Sequence, residues 1–78
     1  MTLNDIKPGE KAIIKRLDFT GGIKRRLLDI GLINETTVEC IGKSPAGDPK
    51  AYLIRGAVIA IRTSDAHRIH VAKSEEVL

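Results

Sequence analysis

The sequence predicts a mainly β fold: five short strands bent into a small barrel, with one short α-helix between the first and second strands. Three observations lead there. Short segments rich in Ile, Val, Leu and Ala recur between Gly, Pro and Asn turn signals. One stretch, Ile23 to Ile30, carries apolar residues at helical spacing and runs into Gly31. The 78 residues are too few for an ordinary two-sheet sandwich, whereas bending one sheet round on itself protects its edges.

Residues 1–7 read as an extended lead-in before the Pro8-Gly9 turn signal. Lys11 to Leu17 is the first strand, with Ala12 and Ile14 on the core face and Ile13 partly exposed between Lys11 and Lys15. Asp18 to Gly22 is a loop, and Thr20 or Gly22 caps the helix that follows. Ile23, Leu27 and Ile30 recur at i, i+4 and i+7 and mark one apolar helical face. A helix of one or two turns does not hold itself together in water, so it needs a sheet to pack on. Gly31 supplies the left-handed stop, and Leu32 and Ile33 return the chain to the core.

Asn34-Glu35 forms a turn, and Thr37 to Lys43 reads as the second strand, with Val38 and Cys40 inward. Ser44 to Pro49 is a rigid hairpin loop whose prolines fix φ and whose Gly47 takes positive φ. In the third strand Tyr52 and Ile54 face inward and Arg55 outward, and Gly56 breaks the strand at a bulge or tight turn. Ala57 to Arg62 is the fourth strand. Thr63 to His67 reads as a single capped turn, and Ile69 to Val71 as a short fifth strand. These elements make one barrel domain over residues 1–72, of the SH3-like kind, and 73–78 reads as a flexible C-terminal tail.

Composition narrows the function. The core is built from branched aliphatics, because Phe19 and Tyr52 are the only aromatics. The net charge of +3 is mild, and acids are spread through the chain, so the sequence gives little support to a nucleic-acid partner. Two aromatics do not make a base-stacking platform. The single Cys40 has no disulfide partner and suits a reducing, cytoplasmic setting. No apolar run approaches the roughly 18 residues that span a bilayer, so no membrane insertion is expected.

Several constellations carry chemistry only in part. Lys24-Arg25-Arg26 lies in the first turns of the helix, where cations oppose the helix dipole. Either the patch meets an acidic surface or a phosphate, or Arg26 pairs with Asp29 while Lys24 and Arg25 are simply solvated. Gly42-Lys43-Ser44 imitates the end of a phosphate-binding loop, but Thr37 stands where the motif needs glycine and Pro45 follows instead of a helix. His67 and His70 are an incomplete metal pair, a weak transition-metal site at most. Val58 and Ala60, beside Arg55 and Arg62, are either an exposed docking face or are buried by strand curvature. No catalytic constellation is present, so the sequence does not read as that of an enzyme.

Three stretches together resemble the FeoA family, small cytoplasmic accessory proteins of bacterial ferrous-iron uptake. They are Arg26-Leu27-Leu28-Asp29-Ile30-Gly31-Leu32, then Pro45-Ala46-Gly47-Asp48-Pro49, then Arg55-Gly56 through Ile59-Ala60-Ile61-Arg62 to Asp65-Ala66-His67-Arg68-Ile69-His70-Val71. The family usually has a Pro-Gly turn where this chain has Asn34-Glu35. Glu disfavours the positive φ of a type II turn, so a different turn type is expected here.

The residues themselves call for no cofactor, and the resemblance implies an accessory protein that docks on the cytoplasmic part of the membrane ferrous-iron transporter FeoB and regulates it, so that it lies at the inner membrane only through that transporter. The docking residues would be Lys24, Arg25 and Arg26 on the helix, Pro45, Asp48 and Pro49 in the rigid loop, and Arg55 and Arg62. Two other readings stay open: a metal-responsive module like the C-terminal SH3-like domain of iron-dependent repressors, and a small nucleic-acid-binding barrel.

Overall fold

Five antiparallel strands form one sheet: β1 Lys11–Leu17, β2 Thr37–Lys43, β3 Lys50–Ile54, β4 Ala57–Ile61 and β5 Ile69–Lys73, in the order β4-β3-β2-β1-β5. The computed structural model describes residues 1–73. Helix α1, Gly21–Asp29, links β1 to β2, and the single turn α2, Thr63–Ala66, precedes β5. β5 runs two residues beyond Val71, and the tail assigned to 73–78 otherwise lies outside the described residues.

Alternation built the sheet as the sequence implied. Ala12, Ile14, Val38, Cys40, Tyr52 and Ile54 are all fully buried on one face, and each of the larger ones contributes about 1.5–3 kcal/mol by leaving water. Register slips by one residue between Ile14 and Arg16 and between Cys40 and Gly42. Such bulges sharpen the bend of a sheet.

β4 and β5 are the two edges and do not pair with each other, so the wall is a bent SH3-like sheet rather than a hydrogen-bonded ring. The N-terminal segment packs against β5 and α2 and reaches β3 side chains, leaving the β4 edge free. It is not merely extended: Leu3–Asp5 forms a 3-10 turn, with Leu3 and Ile6 buried to 0% and 1% exposure. On one side the Leu3 carbonyl accepts the Tyr52 hydroxyl at 3.4 Å and the Asn4 carbonyl accepts Lys50 Nζ at 3.0 Å. On the other, Thr2 bridges to His70 and the Met1 carbonyl accepts the Val71 N–H at 2.9 Å.

Helix α1 departs from the expected packing. Of Ile23, Leu27 and Ile30, only Leu27 packs against the core; Ile23 and Ile30 are 58% and 40% exposed. The residues that enter the core are Phe19 just before the helix and Leu32 just after it. The helix is therefore anchored at its ends. Gly31 ends it at φ 104°. The Leu32 N–H bonds the Leu27 carbonyl and the Gly31 N–H bonds the Leu28 carbonyl, each at 3.0 Å, a Schellman stop that brings Leu32 onto Leu27. Ile33, expected in the core, is exposed.

The turn after Leu32 also corrects the sequence reading. Glu35 does adopt positive φ, at 68°. Its N–H donates to the Ile14 carbonyl at 2.7 Å, and its carboxylate holds Lys15 Nζ at 2.9 Å. These bonds offset the local cost, so the left-handed conformation survives without glycine.

Candidate docking surface

Every side chain of α1 except the half-buried Leu27 is exposed. Ile23, Leu28 and Ile30, with Ile33 just beyond, are exposed apolar residues; at about 100° per residue Ile23 and Ile30 share one side of the helix, whereas Leu28 lies on another, between Lys24 and Arg25. No ion pair among the described residues involves Lys24, Arg25 or Arg26, so the Arg26–Asp29 pairing does not form. Arg26 falls in the last turn of the helix, where a cation suits the dipole; only Lys24 and Arg25 stand nearer its positive end. Gly21, Lys24, Arg25, Leu28 and Asp29 line a shallow depression of about 390 Å³.

The residues expected to touch a partner do not make one patch. Arg55 joins α1: its Cδ would lie 2.8 Å from a Cβ placed on Gly31, so its stem lies over the helix stop. Arg55 and Gly56, at φ 50° and 84°, form the two-residue turn between β3 and β4. Pro45, Asp48 and Pro49 are exposed at the far end of β3. A five-residue strand separates the two groups by about 15 Å. There Asp48 Oδ1 accepts the Thr63 N–H at 2.8 Å. Asp48 thus caps α2 from a neighbouring loop and is tied up structurally. Arg62, at the start of α2, is exposed at this second end.

Sequence reasoning left Val58 and Ala60 undecided, and both are exposed, Val58 at 64%. They stand beside Leu53 and Ala51 of β3 on the outer face. It missed Ile23 and Ile30 as surface residues, because periodicity marks an apolar face without saying what covers it.

The two histidines face different neighbours. His67 Nε2 lies 3.5 Å from Asn4 Nδ2. His70 Nε2 lies 3.0 Å from Asp18 Oδ2 and 3.3 Å from Arg16 Nη2. The hydrogen bond from His70 holds the Asp18 carboxyl below the usual carboxylate range, with Arg16 adding to the effect. Among the described residues no three His, Cys, Asp or Glu side chains converge as metal ligands. Cys40 is fully buried. Burial pushes the Tyr52 phenol up to about 12. Both aromatics are in the core, and Phe19 carries Arg68 over its ring at 4.9 Å, so no stacking platform for bases is exposed.

The family model for the FeoA domain matches residues 1–73. The chain belongs to the FeoA family. A Porphyromonas gingivalis protein, named as a fusion of Fe(2+) transport protein A with the Fe(2+) transporter FeoB, is 30% identical over 71 residues; the match takes in 91% of this chain and 8% of that protein. The solution structure of a FeoA protein from Chlorobium tepidum superposes with a TM-score of 0.88 at 27% identity, over 94% of this chain and 70% of that one. The Stenotrophomonas maltophilia FeoA, crystallised with zinc and described as a prokaryotic SH3 domain protein, gives 0.77 at 28% identity, over 91% and 88%. A manganese-dependent transcriptional repressor shares the fold, with a TM-score of 0.81 at 16% identity, over 95% of this chain and 41% of that one. No helix among the described residues is long and apolar enough to cross a membrane.

Proposed function

We propose that this FeoA-family chain is a non-enzymatic adaptor that docks on the cytoplasmic part of the ferrous-iron transporter FeoB and regulates it. One observation carries the reading: in the Porphyromonas gingivalis relative, the matching domain and the transporter share a single polypeptide. A module that works beside a transporter at effectively high local concentration is a natural candidate for docking on it.

The docking surface is the exposed side of α1. Leu28 supplies apolar contact area and Lys24 and Arg25 supply charge, around a shallow depression suited to a small protruding group, with Ile23 exposed on the neighbouring side of the helix. Arg55, lying over Gly31, extends the cationic rim. The surface selects an acidic, partly apolar patch on the transporter. The loop at Pro45–Pro49 and Arg62 lie at the other end of the sheet and are not part of this contact. The chain reaches the membrane through its partner.

The test is binding of the isolated chain to the soluble GTP-binding region of the transporter. The double reversal Lys24→Glu and Arg25→Glu is expected to weaken binding by about tenfold or more. The same change is expected to leave the fold intact or slightly more stable, since acids suit the beginning of a helix by about 0.3–1 kcal/mol each. Unchanged affinity would remove α1 from the reading.

A further inference from the structure

Strand β4 is an open edge, and its sequence and geometry fit a second copy of itself. The two-residue turn at Arg55-Gly56 makes Ile54 and Ala57 the closing hydrogen-bonded pair. Alternation then directs the backbone groups of Ala57, Ile59 and Ile61 toward β3, and those of Val58 and Ala60 outward. Among the described residues, no backbone partner takes up the outward N–H or C=O of Val58 or Ala60. The opposite edge, β5, is bridged by Thr2 and Met1. β4 has no such cover, and Ala57-Val58-Ile59-Ala60-Ile61 lacks the charges and prolines that usually blunt an exposed edge.

We propose that two copies of this chain associate by antiparallel pairing of β4 with β4 about a two-fold axis through Ile59. Under that axis Val58 faces Ala60 of the second copy and Ala60 faces its Val58, so every outward group finds a partner, in four hydrogen bonds. A large side chain meets a small one on the outer face. On the inner side the half-buried Ile59 meets its own counterpart. No charged residue lies within the paired stretch. Arg62 comes opposite Gly56 of the second copy and near its Arg55. That repulsion weakens the dimer in dilute buffer, and salt relieves it.

The test is sedimentation equilibrium of the full chain alone, over a wide concentration range and at two salt levels. The expected result is a weight-average mass that rises with concentration from that of one chain toward two, more steeply at the higher salt. Val58→Pro removes an outward N–H without touching the bonds to β3. It is expected to weaken association by about tenfold or more, since two bonds are lost per dimer. Val58→Lys, which only adds an edge charge, is expected to do the same. Circular dichroism confirms that each variant is folded. A wild-type mass independent of concentration and salt would overturn the proposal. So would folded variants that associate like the wild type. None of these results bears on docking through α1, because no transporter is present in the mass measurement.

Discussion

Gly31 carries two demands at once: a backbone at φ 104° and the stem of Arg55 in the space a Cβ would fill. The arginine stem can shift, but the backbone cannot without undoing the Schellman stop. Gly31→Ala is therefore expected to destabilise the chain by about 1–3 kcal/mol in urea unfolding. An unchanged midpoint would show that the stop is not needed. The sequence announced this glycine because a left-handed helix stop has a strong residue preference. It did not announce Glu35, because the bonds that hold its positive φ come from Ile14 and Lys15, some twenty residues back in the chain. Asp18 gives a pH signature. Its carboxyl is held below the ordinary value of 3.8 by the hydrogen bond from His70, so its contribution to stability is complete above that value and is lost as pH falls through the lower, folded one. The Asp18 carboxyl carbon is expected to titrate below 3.8 in the wild type and closer to that value in His70→Ala. Equal midpoints in the two proteins would rule out His70 as the cause.

At the scale of elements, strands were legible and the helix only half so. Period-two alternation fixes which side of a strand is buried once a single core face exists, and Ala12, Ile14, Val38, Cys40, Tyr52 and Ile54 followed it. In α1 the same kind of argument misled, because Phe19 and Leu32 take the core positions and leave Ile23 and Ile30 outside. The first six residues were under-read for a related reason: a single 3-10 turn has no periodicity to detect, although Leu3 and Ile6 are among the most buried side chains. Leu3→Ala is expected to cost about 2–5 kcal/mol, as a core truncation does; a loss below that range would mean the segment is not part of the core. Asp48 was assigned to partner binding as part of the rigid Pro45–Pro49 loop, and its carboxylate also caps α2 by accepting the Thr63 N–H. Asp48→Ala is expected to lower stability by about 0.5–2 kcal/mol and to leave affinity for the transporter domain unchanged. A loss of affinity with stability intact would return Asp48 to the contact surface.

For the whole molecule, a bent five-stranded sheet leaves two kinds of unfinished surface, the outer side of α1 and the free edge of β4. The first joins apolar area to cations unpaired among the described residues and suits an acidic partner. The second is uncharged and suits itself. The two lie on different elements, so an adaptor can in principle be held by its transporter and by another copy of itself at once. The central claim is docking through α1, and amide chemical-shift mapping of the labelled chain, titrated with the transporter's GTP-binding region, tests it most directly. The account predicts that the largest shifts cluster at Ile23, Lys24, Arg25 and Leu28 and extend to Arg55. Shifts confined to the Pro45–Pro49 loop and Arg62, or none at saturating partner, would contradict it.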